Sequence, residues 1–173
     1  MNSNLFTFTL MIFAFSSCIE VGFRTPQPEN GTEVAHIPET YLGTYTNKEG
    51  NLIVAKDYFI QGGDTSTFED LGKTEIRLLD NRCYLNISNY DYWILVVAER
   101  KGDKLYLYNS ISSNKKDIEK LTRKYDGELL FKSQFAQDRG EPDAFVFNSI
   151  SRSWNKLLRD RRIFKKDIYT KVD

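Results

Sequence analysis

Histidine and cysteine are nearly missing from this chain, with one His and two Cys among 173 residues. A closed zinc site needs four nitrogen or sulfur ligands, so these three residues cannot complete one. His36 stands two residues before Pro38 in a stretch poor in apolar residues, which leaves no evident base beside a serine or cysteine nucleophile. A Gly-x-Ser-x-Gly elbow, a phosphate-cradling glycine loop and His-Glu-x-x-His are all absent. No catalytic residue, metal ligand or cofactor is assigned on this basis. Charge is not in excess either: 24 Lys and Arg balance 24 Asp and Glu. A general nucleic-acid binder needs surplus cations to displace counterions from phosphates, so nucleic acid is excluded as a partner. Aromatics, by contrast, are plentiful at 14% of the chain, including 12 Phe and 10 Tyr. That share and length suit one folded domain with a real core, not a disordered tail.

Residues 1–17 carry no charged side chain, and the stretch from Leu5 to Phe15 is apolar apart from two threonines. Eleven helical residues span about 16 Å, half of a roughly 30 Å hydrocarbon core. The stretch is too short to cross a membrane and suits the apolar centre of a secretory signal. It ends in Phe15-Ser16-Ser17-Cys18, small residues directly before a cysteine. At these residues the chain resembles a bacterial lipoprotein, and its aromatic-rich remainder resembles the small lipoproteins of Bacteroidota. The resemblance implies a signal peptide over 1–17, cleavage before Cys18 and lipidation of Cys18. It also implies anchoring in the bacterial cell envelope, with the outer membrane as the expected address and the leaflet unspecified. Two other readings stay open: a cleaved signal that leaves a soluble secreted protein, and a buried N-terminal strand or helix with Cys18 in the core. Pro26, Pro28, Asn30, Gly31 and Pro38 make residues 18–38 read as a lipidated cysteine on a flexible tether. A single α+β domain is expected over 39–173.

Within that domain the apolar pattern is mostly strand-like. Tyr41 to Tyr45 and Leu52 to Ile60 flank a glycine-bearing turn, which predicts a hairpin. Gln61 to Thr74 reads as a loop. Glu75 to Leu79, Arg82 to Ile87 and Leu105 to Tyr108 read as strands. Tyr92 to Ala98 is the most continuously apolar run and predicts a central strand covered on both faces. Cys83 alternates within its strand and reads as a buried structural thiol, so no disulfide is expected. The heptapeptide from Tyr106 to Ser112 is echoed from Phe145 to Ser151, each leading into a helical pattern. The echo reads either as a paired strand–helix–strand element or as convergent capping. Asn114 is the candidate cap of the first helix, whose stripe is Ile118, Leu121 and Tyr125; the second carries Trp154, Leu157 and Leu158. The fold class is therefore α+β: an antiparallel meander sheet or partly closed barrel with two helices in the C-terminal half.

Three features remain as candidate sites. The loop from Gly62 to Asp70 holds Asp64, Glu69 and Asp70; its composition permits calcium but lacks the spacing of a dedicated loop, and a solvated surface is the preferred reading. Tyr90, Tyr92 and Trp93 belong to a set of strand aromatics, with Tyr106, Tyr108, Phe145 and Phe147, read mainly as core and otherwise as an aromatic-lined cleft. Charge is also uneven: from Arg152 to Asp173 eight Lys or Arg face three acids, a net of +5. Arg159, Arg161 and Arg162, with Lys165 and Lys166, read as a favourable helix C-terminus or as a patch for anionic headgroups or an acidic partner. The candidate contacts are thus Tyr90, Tyr92, Trp93, Arg159, Arg161 and Arg162. The expected function is that of a membrane-anchored envelope lipoprotein with a binding or interaction domain. Its expected partners are the membrane, through the lipid, and an envelope protein or a small apolar or glycan ligand. A carboxylate-dependent enzyme without a recognisable motif and a structural accessory of an envelope complex are the alternatives. Cys18→Ser is predicted to move the protein from the membrane to the soluble fraction; a wild-type mature protein starting at Cys18 without added lipid mass would refute the anchor.

Overall fold

In a computed structural model the chain is described over residues 19–61, 64–67, 73–111, 114–132, 134–140, 142–148 and 154–172. Cys18, Glu69 and Asp70 lie outside these residues. The strands are β1 (Glu20–Phe23), β2 (Thr32–Val34), β3 (Gly43–Asn47), β4 (Gly50–Val54), β5 (Tyr58–Gln61), β6 (Asp64–Thr67), β7 (Thr74–Leu79), β8 (Arg82–Asn89), β9 (Tyr92–Lys101), β10 (Lys104–Ser110), β11 (Gly127–Leu130), β12 (Ala144–Phe147) and β13 (Phe164–Val172). The helices are α1 (Lys115–Lys124), α2 (Gln134–Arg139) and α3 (Trp154–Leu157), and Glu39–Tyr41 forms a single 3-10 turn.

Aromatic and β-branched residues make β9 the longest strand, and it is the hub of the sheet. On one side it pairs antiparallel with β8, from Arg82↔Glu99 to Asn89↔Tyr92. On the other it pairs with β10 from Val96 to Lys101 and with β1 at Phe23↔Trp93. The sheet therefore forks. One branch runs β10-β13-β3-β4-β5-β6, the other β1-β12-β11, while β8 leads to β7 and β2. The pairs are antiparallel except for β1 with β12. The branches curl into a half-barrel with the helices in the C-terminal half, as the alternation of the sequence predicts. Between β7 and β8, Asp80 and Asn81 both adopt positive φ, 51° and 57°, the conformation that a two-residue hairpin loop of matching twist requires.

The pleat sends alternate residues of β9 to opposite faces. Leu95 and Val97 enter one core with Tyr84, Phe145, Phe147, Phe164, the helix residues Ile118, Leu121 and Leu157, and Leu158 just after α3. Val96 and Ala98 turn to the inside of the half-barrel, toward Tyr45, Leu52, Leu85, Leu105 and Tyr169. The central strand is covered on both faces, as its unbroken apolar run implies. Asn114 caps α1, its side chain accepting from the Asp117 N–H at 3.0 Å. Rings in the helix-side core pack on each other: Phe23 stacks on Phe147 at 5.2 Å, and Phe145 meets Phe147 edge-on at 5.1 Å. Each such pair contributes about 0.5–1.5 kcal/mol beyond its buried area. Over their described residues the echoed segments lie mainly in β10 and β12, and α1 and α3 are the helices that come after them. Their outer partners cross over, since β10 pairs with β13 and β11 with β12.

Over its described residues, 19–38, the flexible tether expected for 18–38 is corrected. Ile19, Val21 and Phe23 are at most 2% exposed, so β1 is part of the core. Gly22 lies so close to the Tyr92 ring that a Cβ would overlap it, which only glycine tolerates. The proline-rich continuation is irregular but held. The Gln27 N–H donates to Asn86 Oδ1 at 2.6 Å, and Asn86 Nδ2 donates back to the Gln27 carbonyl at 2.8 Å and to that of Glu75 at 3.1 Å. Arg77 Nη1 donates to the carbonyls of Pro26 and Pro28. Prolines break the ladder pattern, so backbone held by side chains reads as linker in the sequence. Two smaller expectations also change. Leu52 to Ile60 is not one strand but β4 and β5 around a turn, and the loop after Gln61 contains β6.

Asn86→Ala leaves the buried Gln27 N–H without its acceptor. A loss of about 1–3 kcal/mol is expected, read as a lower denaturant midpoint with the slope unchanged; an unaltered midpoint would contradict the clamp.

Candidate functional site

The outward residues of β9 beyond Val97 are Glu99 and Lys101, and Arg82 of β8 is the register partner of Glu99. Tyr108 of β10 shares this face. Asn155 of α3, with Leu158, Arg159 and Arg161 after it and Phe164, Lys165 and Lys166 at the start of β13, forms the opposite wall. Between them lies a cleft of about 780 Å³, within the usual range of ligand sites. Its floor is apolar, from Ile111, Leu158 and Phe164. Among the described residues its rim carries Arg82, Lys101, Arg159, Arg161, Lys165 and Lys166 against the single carboxylate of Glu99.

The Glu99 side chain is 11% exposed and held between cations: Arg82 Nη2 lies 3.1 Å from Oε1, and Lys101 Nζ lies 3.0 Å from Oε2. Burial pushes its carboxyl upward, but the Lys101 and Arg82 contacts outweigh this and hold it below the ordinary range. Glu99 is therefore ionised, and its role is to position Arg82 and Lys101. Arg82 Nη2 also donates to Asn155 Oδ1 at 2.6 Å, which ties the two walls together. Lys165 is offset by Asp167 at 3.2 Å and Glu49 at 3.7 Å. Lys166 lies 4.5 Å above the Tyr106 ring, where the ring face favours a cation. Arg159 and Arg161 are exposed, and among the described residues neither has a hydrogen-bond or ion-pair partner. Two free guanidinium groups beside an apolar floor suit a phosphate, sulfate or carboxylate carried on a larger body.

The structure separates the residues that the sequence reading grouped. Arg159 and Arg161 line the cleft, while Arg162 turns away and grips Asp160 through Nε at 2.8 Å and Nη2 at 2.6 Å. Tyr90 sits at the tip of the β8–β9 turn, 99% exposed. Tyr92 is buried, its hydroxyl donating to Glu20. Trp93 packs against the helix-side core with Lys73 Nζ 5.3 Å from its ring centre. None of the three reaches the cleft, because Tyr90 and Tyr92 lie at the opposite end of β9 from Glu99. Asp64 belongs to β6, and among the described residues no group of three or more His, Cys, Asp or Glu is placed to hold a metal. Arg82, Glu99, Lys101 and Asn155 escaped the sequence reading. A register counted from a three-residue turn at Asn89 to Asp91 sets Arg82 opposite Ala98; the loop is the two residues Tyr90-Asp91, which brings Arg82 opposite Glu99, and Asn155 had no such signal. Searches against protein-family models, curated proteins and solved structures find no match to this chain.

Asp160 braces the cleft wall from behind. Desolvation pushes its carboxyl up, but donors on Arg162, Lys124 and Tyr125 prevail and hold it well below the usual carboxylate range. A depressed carboxyl contributes stability above its unfolded value, near 3.9, and loses it as pH falls toward the folded value. Asp160→Asn is therefore expected to cost about 1–3 kcal/mol at neutral pH and to flatten the acid limb of the stability curve below about pH 4. Thermal melts from pH 7 to pH 2 check this, and parallel curves for the two proteins would contradict it.

Proposed function

We propose that this is a lipid-anchored lipoprotein of the bacterial envelope whose domain binds an anionic ligand in the basic cleft. The observation that carries the reading is the set of six cations facing one already paired carboxylate, with Arg159 and Arg161 unpartnered among the described residues. A ligand bearing one or two phosphate or sulfate groups on a sugar-sized body matches both the cationic rim and the apolar floor. Anchoring at Cys18 fits the position of β1. Ile19 is already buried, so an acyl chain on Cys18 holds the domain within one or two residues of the headgroup layer, a reach of about 4–7 Å. A domain kept near that layer meets anionic saccharides and headgroups at high local concentration. Binding is favoured over carboxylate catalysis because, among the described residues, Glu99 is the one acid in the lining and is neutralised by two cations, whereas glycoside hydrolysis pairs two carboxyl groups.

Calorimetric titration of the full chain with inorganic pyrophosphate tests the cleft. Wild type is expected to bind with an affinity that falls as salt rises. The double variant Arg159→Glu, Arg161→Glu is expected to lose at least about tenfold, the equivalent of 1.4 kcal/mol, while melting as wild type does, because exposed charges contribute little to stability. Absence of binding to wild type, or equal binding by the variant, would contradict the proposal.

A further inference from the structure

The inner face of the half-barrel holds a second space, separated from the cleft by the thickness of the sheet. Where β9 and β10 send Glu99, Lys101 and Tyr108 outward to the cleft, the pleat sends Val96, Ala98, Leu105 and Leu107 inward. With Leu52, Val54, Phe59, Cys83 and Leu85 these residues surround a cavity of about 100 Å³. Close-packed interiors leave few voids larger than a water molecule. This one arises because small side chains meet there: Cys83 and Ala98 are direct register partners across β8 and β9, and Val54 and Val96 flank them.

The lining carries no charged side chain among the described residues, and its polar members are Tyr41, Gln61 and Asn109. All three already donate within the protein: Tyr41 to the Asn81 carbonyl at 2.8 Å, Gln61 to the Tyr169 hydroxyl at 3.1 Å, and Asn109 to Asp167 at 3.4 Å. The Cys83 thiol, pushed up to about 12 by burial, stays neutral. Water needs two to four polar partners to occupy a cavity, and apolar cavities of comparable size stay dry and take up xenon or benzene. Ile37 and the 3-10 turn at Tyr41 close one end, while Gln61 and Asn109 lie further along their strands, away from that plug.

We infer that the half-barrel interior is a binding site for a small uncharged apolar group, distinct from the anion cleft and independent of it. Its occupant is a short aliphatic chain end or a single unsubstituted ring, and size and neutrality select it. The inference does not rest on the anchoring proposal or on the nature of the cleft ligand.

Xenon-pressurised crystals of the full chain and solution titrations with benzene and benzoate test the site. The expected results are xenon density bounded by Cys83, Ala98 and Leu107, saturable binding of benzene, and at least tenfold weaker binding of benzoate, whose charge has no partner in the lining. Ala98→Leu fills the space and is expected to abolish both xenon and benzene binding while leaving pyrophosphate binding in the cleft unchanged. Should that variant fail to fold, Cys83→Val supplies a milder filling and a several-fold loss of benzene affinity. Absence of xenon from the cavity, benzoate binding as tightly as benzene, or full benzene binding in a folded Ala98→Leu protein would each overturn the inference.

Discussion

Backbone pairing on both sides of Tyr92–Lys101 forces its side chains to alternate between two faces that are covered by different parts of the chain. The helices and the β1-β12-β11 branch cover one face, and the curled branch from β10 to β6 encloses the other. A one-residue slip of β9 would exchange the two sets, sending Glu99 into the barrel and Ala98 into the cleft. The register is set by the two-residue turns at Asp80-Asn81 and Tyr90-Asp91, and it is secured by Leu95 and Val97, both 0% exposed. Core and candidate sites thus depend on one strand pairing.

The same constraint explains how a chain with equal numbers of cations and anions builds a cationic cleft. Glu99 faces outward on β9 and compensates two of the surrounding cations, while Asp160, buried behind the wall, compensates Arg162 and Lys124. Lys166 rests over the Tyr106 ring, and among the described residues the cleft cations left with neither a carboxylate nor a ring are Arg159 and Arg161, placed at the rim by the turn that follows α3. Buried carboxylates hold the structural cations in place, and the turn presents the free ones.

Elements with a regular period were legible in the sequence. The unbroken run of β9, the helical stripe and cap of α1, and the alternating hairpins led to the half-barrel with C-terminal helices. The lapses fall where period and composition disagree with tertiary context. Residues 19–34 have the prolines and glycine of a linker, yet Ile19, Val21 and Phe23 carry a two-residue period too short to stand out, and Asn86 and Arg77 hold the remainder by side chain to backbone bonds. The basic C-terminal stretch was visible as charge, but charge alone does not reveal that Arg162 faces Asp160 while Arg159 and Arg161 face the cleft. Arg82 and Glu99 come from different strands, and their meeting follows from register, which composition does not encode.

The claim that one strand pair serves two independent sites is tested most directly by NMR of the full chain, following the Arg82 Nε–H together with the methyl groups of Val96, Ala98, Leu105 and Leu107. Pyrophosphate should shift the Arg82 signal and leave those methyls in place, and benzene should do the reverse. If either ligand moves both sets together, the two faces of the sheet form one site and the account is wrong.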